Sequence, residues 1–203
     1  MSEIAEREAG PALNRAAPQC LDLLLSRRSG SAKAMTGPGP LPEQLRQILT
    51  CGTRVPDHGK LAPWRFIVFE GEGRVRMGEL LAQVVQQAEH DASPERLSLE
   101  RNRFLRAPIV IGVVSRVREG IAIPEWEQIL SAGACGMSIA IAAHALGFVA
   151  NWITEWCAYH PLVREGLELK NGERIAGFIY IGRRAAPLIE RARPDLDSLV
   201  TRF

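Results

Sequence analysis

The segment Pro124–Leu146 constrains the fold of this chain most, because it reads as one long helix that is apolar on nearly every side. Glu125 and Glu127 stand in its first turn and Gly147 follows its last, as expected for the two ends of a helix. Its middle, residues 131–143, is rich in small residues, which let another backbone approach closely. Two arrangements stay open: a central core helix, or a helix that pairs with its own copy across a two-fold axis.

Shorter patterns around this helix indicate further helices and strands. Apolar spacing predicts a helix that ends near Arg28, one that begins near Pro42 and one over Val75–Glu89. β-branched or continuously apolar runs predict strands over Trp64–Glu70, Pro108–Ser115, Phe148–Thr154 and Ile175–Gly182. The run Pro108–Ser115 is continuously apolar up to its final serine, so we expect it in the centre of the sheet.

The composition excludes several classes of partner. Among 203 residues, 25 basic side chains balance 23 acidic ones, and the basic ones are scattered, so no nucleic-acid partner is expected. Residues 1–16 lack the apolar core of a signal peptide and predict a flexible tail. The longest apolar run, Met137–Ala150, is too short to span a membrane, so we expect a cytoplasmic protein without a membrane partner. The four cysteines form no C-x-x-C pair, which favours buried, reduced thiols.

Familiar catalytic motifs are incomplete in this sequence. Gly71-Glu72-Gly73 precedes a helix as a dinucleotide fingerprint would, but Arg76 replaces the third glycine. Ser138 lies inside a helix and not at the strand-to-helix turn of a hydrolase nucleophile. The four histidines show no metal-ligand spacing, and His144, on the apolar helix, is expected to be a hydrogen-bonded core residue. Chemistry carried by a cofactor, which protein groups bind and orient, suits this pattern.

Five segments, spread in order over residues 20–184, carry a resemblance to a known family. They are Leu24–Ser29, Val55–Trp64, Trp126–Gly133, Leu146–Trp152 and Gly177–Gly182. Together and in register, they resemble the small members of the nitroreductase family. The resemblance implies an α+β fold, with a mostly antiparallel central sheet of four or five strands wrapped by helices. It also implies an intertwined homodimer with two FMN sites at the interface.

The resemblance implies that Arg27, Arg28 and Ser29 bind the FMN phosphate. Two guanidinium groups beside a hydroxyl suit a group that carries nearly two negative charges, and each charge-assisted bond contributes on the order of 1.5–3 kcal/mol. The alternative is that both arginines are merely solvated at the C-terminus of a helix.

The same resemblance implies roles for two further groups of residues. Arg54 and His58 would reach the FMN of the other subunit; otherwise they are a solvated arginine and a turn histidine. The isoalloxazine ring of FMN would lie alongside Trp152, Ile153 and Thr154, which otherwise form a buried strand.

Three residues depart from the pattern of many family members. Lys60 and Ala62 stand where many members have Asn and Gln, although the smallest subgroup shares the lysine. Ala62 has no side chain that could hydrogen-bond the flavin, and Ile153 replaces a residue that is often polar or basic. Both changes make the pocket more apolar, and we expect them to affect flavin affinity or substrate choice.

The activity implied by the resemblance is that of an FMN-dependent oxidoreductase. Hydride would pass from NADH or NADPH through flavin N5 to a small electron-poor acceptor, such as a nitroaromatic or a quinone, in a ping-pong reaction. This chemistry requires no side-chain nucleophile and no metal. Two alternatives stay open: another flavin reaction (desaturation, dehalogenation or flavin fragmentation), and a non-enzymatic flavin-binding dimer.

The chain is expected to divide into three parts. Residues 1–16 form the tail and residues 17–187 the FMN-binding domain. Residues 188–203 show no helical period, and the resemblance implies that they form an arm that packs on the partner subunit.

Overall fold

The computed structural model describes residues 13–203, which form six α-helices and five β-strands. The helices are α1 (Pro18–Ser26), α2 (Pro42–Gly52), α3 (Glu72–Ala88), α4 (Pro94–Arg101), α5 (Glu125–Ala145) and α6 (Pro161–Gly166). The strands are β1 (Met35–Thr36), β2 (Trp64–Phe69), β3 (Ile109–Arg116), β4 (Val149–Ile153) and β5 (Glu173–Arg184). Most of the tail predicted over residues 1–16 therefore lies outside the described residues.

Every strand pairing in this sheet is antiparallel. The strand order is β1-β5-β3-β2, and β4 pairs with β5 as well. β2 and β5 pair with the two edges of β3, and its first seven residues are buried because apolar clusters pack on both faces of the sheet. The prediction of an α+β fold with a central strand near residues 108–115 is thus confirmed, while the dimer stays a prediction.

The sheet separates two apolar clusters, because successive side chains of a strand point to opposite faces. On β5, Phe178 and Tyr180 belong to the cluster that contains Leu81 of α3. Ile179, between them, belongs to the cluster that contains Ile139 of α5. Burial of a large apolar side chain stabilises the fold by about 1.5–3 kcal/mol. These contacts hold α5 against one face of the sheet.

The small residues of α5 permit close packing against the core. A Cβ atom built on Gly52 of α2 would lie 2.7 Å from Cγ1 of Ile139, so the two helices approach closely at this point. Ser131, Cys135 and Gly136 are buried on the same helix. By length and composition α5 could span a membrane, yet half of its most apolar window is buried within the protein. On this side, α5 is therefore the core helix of the first arrangement.

The opposite side of α5 carries an exposed apolar stripe. Trp126, Leu130 and Met137 are 67%, 53% and 37% exposed. A Cβ atom built on Gly133 would meet nothing within 4 Å. Spacings of four, three and four residues place these positions on one face of a helix. The helix thus keeps a surface that suits the second arrangement, pairing with a copy of itself.

Helix α4 was not expected from the sequence, because charges and not an apolar stripe hold it. Its Glu100 is fully buried and accepts hydrogen bonds from Arg96 and, at 2.6 Å, from both Nε and Nη2 of Arg103. A buried carboxylate of this kind is stable only when such partners satisfy it. Hydrophobic periodicity cannot detect a helix of this type.

The expectation of four buried thiols is half wrong. Cys135 and Cys157 are buried, and burial raises the pKa of each thiol to about 12. Cys20 and Cys51 are exposed, because they lie on the solvent sides of α1 and α2.

Candidate active site

Arg27, Arg28 and Ser29 follow directly on the last residue of α1. The backbone of Arg27 is extended, which ends the helix. Nε of Arg28 donates a hydrogen bond of 2.9 Å to the carbonyl oxygen of Ile189 and lies 3.6 Å from the carboxylate of Glu190. These contacts bring the segment after β5 to the end of α1.

Arg27 belongs to a group of four arginines. Burial lowers the pKa of its guanidinium, the charges of Arg193, Arg28 and Arg191 lower it further, and Glu190 opposes them. Its Nη2 donates to Oγ of Ser29 at 3.2 Å, but its Nε is buried and has no hydrogen-bond partner among residues 13–203. Several like charges around an unused buried donor are the arrangement that an anion such as a phosphate would stabilise.

A pocket of about 330 Å³ opens at this point, between the end of α1, the C-terminus of α5 and the start of β4. Its polar and charged lining consists of Ser26, Arg27, Arg28, His144 and Arg184. No carboxylate lines this pocket in the described part of the chain, so its lining favours a negatively charged ligand.

His144 differs from the fully hydrogen-bonded core residue that the sequence predicted. Its Nδ1 lies 3.2 Å from the carbonyl oxygen of Phe148, whereas its Nε2 is buried without a partner in the described residues. Burial lowers the pKa of its imidazole, the bond to Phe148 opposes this, and the charge of Arg27 lowers the pKa again. Only one of its two ring nitrogens is therefore satisfied.

The indole of Trp152 lies across two glycines beside the exposed end of β4. A Cβ atom would lie 2.6 Å from the ring at Gly136 and 1.9 Å from Nε1 at Gly177. Nε1 donates a 3.1 Å hydrogen bond to the carbonyl oxygen of Ala176. The ring is thus held flat between α5 and β5 while 36% of the residue stays exposed. An aromatic face fixed in this way could support a planar ligand.

The two residues after Trp152 point to different environments. Ile153 is partly buried and packs against the apolar cluster that contains Phe178, whereas Thr154 is exposed. Of the three residues predicted to lie beside the flavin, the structure therefore leaves Trp152 and Thr154 accessible.

The loop over residues 55–63 is fixed by hydrogen bonds to its own backbone and to α5. Both carboxylate oxygens of Asp57 accept from the backbone N–H of Ala62, at 2.9 and 3.1 Å. Oγ of Ser131 donates to the carbonyl oxygen of Pro56 at 2.7 Å and accepts from Nε1 of Trp64 at 3.1 Å. The loop is therefore rigidly positioned at the N-terminal part of α5.

The same loop contains a strained stretch of backbone. Gly59, Lys60 and Ala62 have φ angles of 67°, 55° and 46°. Such values are uncommon for residues with a side chain and persist only where the surroundings impose them. The hydrogen bonds from the backbone N–H of Ala62 to the carboxylate of Asp57 hold this conformation, which differs from that of an ordinary turn.

Arg54 and His58 do not meet the arginine group within one chain. His58 is exposed and its Nδ1 lies 2.8 Å from Oε2 of Glu127, in the first turn of α5. His144, beside Arg27, lies in the last turn of the same helix. With a rise of 1.5 Å per residue, these two turns are roughly 25 Å apart. Within one chain, the pair of Arg54 and His58 is therefore separated from the arginine group by nearly the length of α5.

Four basic residues of the candidate site were missed in the sequence: His144, Arg184, Arg191 and Arg193. The closely spaced Arg191 and Arg193 after the last strand were the only available signal, and that segment has no periodicity. Nothing local indicates that a residue about 160 positions from Arg27 returns to the end of α1. For His144, its apolar surroundings pointed to the core.

Known proteins are similar to this chain over most of its length. The model of the nitroreductase family matches residues 24–183. The chain is 41% identical over 162 residues to YdjA of Escherichia coli (strain K12), which is named as an NAD(P)H nitroreductase; the match covers 80% of this chain and 86% of YdjA. A protein of Haemophilus influenzae with the same kind of name is 39% identical over 163 residues, with the same coverage.

Solved structures share the fold. A nitroreductase-like protein from Bacillus cereus superposes with a TM-score of 0.80 at 23% identity, over 95% of this chain and 99% of that one. A nitroreductase from Desulfovibrio desulfuricans in complex with FMN gives a TM-score of 0.69 at 24% identity, over 93% and 98% of the two chains. The five segments, the sheet topology and these matches have one explanation: the chain belongs to the nitroreductase family.

Proposed function

We propose that this protein is an FMN-dependent oxidoreductase that uses NADH or NADPH as reductant and transfers hydride to a small electron-poor acceptor. The observation that carries the proposal is the buried Nε of Arg27, which lies within a group of four arginines and has no hydrogen-bond partner in the described part of the chain. Such a group is unfavourable by itself and is stabilised by a bound phosphate. The names of the relatives, NAD(P)H nitroreductases, support the choice of reaction class.

The chain's own residues would bind the cofactor from two directions. Arg27, Arg28 and Ser29, joined by Arg191 and Arg193, would hold the phosphate by charge-assisted hydrogen bonds. Trp152 and Thr154 would lie beside the ring system, with Ile153 fixing the strand from the core side. When bound, FMN supplies hydride exchange at its N5 atom, first with the nicotinamide and then with a nitroaromatic or quinone.

The protein is further proposed to act as a homodimer with shared sites. The exposed stripe of Trp126, Leu130, Gly133 and Met137 offers an apolar surface that a second copy of α5 would cover. A two-fold axis across the helix makes the two copies antiparallel, so the first turn of one meets the last turn of the other. Arg54 and His58 of one subunit would then approach the arginine group of the other, which accounts for their separation within a single chain.

The proposal also covers binding partners and location in the cell. The absence of a basic stripe in the sequence argues against nucleic acid as a partner. The packing of α5 against the sheet supports its role as a core helix, and a cytoplasmic location stays a prediction.

The test is spectroscopic. Purified protein should be yellow, release FMN and not FAD on heating, and lose its visible flavin bands when NADH or NADPH is added without oxygen. Re-oxidation by a nitroaromatic or a quinone then identifies the acceptor class. Bound flavin that neither nicotinamide reduces would favour a binding protein or another flavin reaction. Colourless protein that cannot take up FMN would refute the proposal.

A further inference from the structure

His144 occupies an unusual chemical position beside the arginine group. A carbonyl oxygen can only accept, so Nδ1 must donate to Phe148, which places the proton of the neutral imidazole on Nδ1. Nε2 then carries a lone pair, and this buried atom has no donor partner among residues 13–203. Only a second proton turns Nε2 into a donor and makes His144 a cation.

The charged groups that line the pocket with His144 are basic: Arg27 and Arg28 after α1, and Arg184 at the end of β5. Arg191 and Arg193 add positive charge around Arg27, while Glu190 opposes it and is engaged with Arg28 and Arg193. Burial opposes protonation of His144 in the protein without a ligand, and the charge of Arg27 opposes it further.

A bound phosphate weakens this field. A dianion among the arginines offsets part of their positive charge at His144, and a phosphate oxygen can accept from a protonated Nε2. We propose that His144 is a proton-linked part of the phosphate site: it is neutral in the empty protein and takes up a proton when the phosphate of FMN binds. This inference rests on the proposed function, but it concerns a residue that the family resemblance did not implicate.

The sign of the linkage follows from the two states of His144. Its pKa without FMN lies below the ordinary value of 6.5, and the phosphate raises its pKa in the complex. Between these two pKa values, binding takes up a proton, so FMN affinity falls as pH rises. Above the pKa of the complex and below that of the free protein, the contribution of His144 no longer changes with pH.

The experiment compares full-length wild type with His144→Gln, both freed of flavin and checked for an unchanged circular dichroism spectrum. FMN affinity is measured from quenching of flavin fluorescence between pH 5.5 and 8.5. Glutamine is polar but does not titrate, so the ratio of the two dissociation constants removes the titration of the phosphate itself. We expect the wild-type Kd to rise relative to the variant's by up to tenfold per pH unit within the window, the limit for one proton.

Riboflavin is the control ligand, because it lacks the phosphate. Its Kd should show the same pH dependence in wild type and His144→Gln. Parallel FMN profiles for the two proteins, or an equal difference with riboflavin, would overturn the inference.

Nuclear magnetic resonance of the imidazole nitrogens provides a test that needs no variant. His144 should carry its proton on Nδ1 in the flavin-free protein at pH 7, and its pKa should rise on addition of FMN or inorganic phosphate. If FMN fails to bind, the proposed function falls, and inorganic phosphate still tests the linkage. A His144 pKa that neither ligand changes contradicts the inference alone.

Discussion

Trp152 and Gly177 fit so closely that a Cβ atom on the glycine would lie 1.9 Å from the indole Nε1. Gly136 confines the same ring from the side of α5. A Trp side chain is therefore held at the exposed end of β4 only because two neighbouring elements lack side chains at the points of contact. The position of the indole therefore depends on β4, α5 and β5 together.

Gly177→Ala is expected to displace this indole, because the new methyl group overlaps Nε1. Overpacking of this kind costs about 1–3 kcal/mol, and urea unfolding should show a loss of that size, with weaker FMN binding. Gly73→Ala is the matched control: only the tip of Arg76 lies near a built Cβ, at 4.0 Å. Alanine there should leave the free energy of unfolding unchanged or raise it by up to ~1 kcal/mol. Equal losses in both variants would contradict the close fit.

Replacing Arg27 and Arg28 together by alanine should weaken FMN binding by on the order of 3 kcal/mol or more, since two charge-assisted contacts are lost. Titration of flavin-free protein with FMN measures this. Arg46→Ala, at an exposed position on α2, controls for a general loss of positive charge. If the double variant keeps its affinity, the two arginines are only a solvated helix end.

Arg193→Ala should also weaken FMN binding, although Arg193 is exposed and lies far from Arg27 in sequence. Its charge lowers the pKa of Arg27, so its removal should raise that pKa and relieve repulsion in the flavin-free protein. We therefore expect reduced affinity for FMN without any loss of stability in the absence of FMN. An FMN affinity equal to that of wild type would show that the C-terminal segment does not contribute to the site.

The predicted C-terminal arm, residues 188–203, has to be tested without removing arginines of the candidate phosphate site. Deletion of residues 188–203 would remove Arg191 and Arg193 together with the Ile189 contact to Arg28. Truncation after Arg193 removes the exposed apolar side chains of Leu196, Leu199, Val200 and Phe203 and leaves the arginines in place. If these side chains pack on a partner subunit, the truncated protein should melt at a lower temperature and dissociate more readily. A melting temperature equal to that of the full chain would refute the prediction that this segment packs on a partner subunit.

Acid stability should depend on the pair of Arg65 and Glu173. The two side chains form parallel hydrogen bonds of 2.8 Å, and this pairing with Arg65 lowers the pKa of Glu173 to about 2. A carboxyl whose pKa is depressed in the folded state contributes stability above its unfolded pKa and loses it as pH falls towards the folded pKa. We expect a loss of roughly 2–3 kcal/mol between pH 4.5 and 2.

The matched variants for this pair are Glu173→Gln and Glu79→Gln. Glutamine at 173 should flatten the dependence of the unfolding free energy on pH in that window. Glu79 pairs with Arg101 at an exposed site, where an ion pair contributes little, so its replacement should leave the profile unchanged. Identical acid profiles for wild type and Glu173→Gln would disprove the assignment.

Shared active sites can be tested with a mixed dimer. One subunit lacks Arg27 and Arg28 through alanine substitution, and the other lacks Arg54 and His58. If each site uses the arginine pair of one chain and the loop of the other, one site of the mixed dimer is intact, which should restore about half of the wild-type activity. The measurement is reductase activity per bound flavin in the purified, differently tagged heterodimer. Activity no higher than that of either parent would show that the sites are not shared.

The helices and strands of the core could be predicted because hydrophobic periodicity is a local property. The strand run at residues 108–115 is apolar at every position before Ser115, and β3 is buried on both faces. The long apolar helix predicted over Pro124–Leu146 differs from α5 by one residue at each end. Helix α4 escaped prediction because Arg96, Glu100 and Arg103 hold it through charges, which leave no apolar period.

The family could also be predicted, because the five segments that resemble it are short strings whose order is visible along the chain. Their mutual positions could not. Arg193 joins Arg27, and the indole of Trp152 lies on Gly177, only after the sheet has brought distant segments together. His144 shows the limit most clearly. Its apolar neighbours in sequence predict a satisfied core residue, whereas the charge that acts on it comes from Arg27, more than a hundred residues away in the chain. Electrostatic interactions act through space, so only the tertiary structure decides which charges a side chain faces.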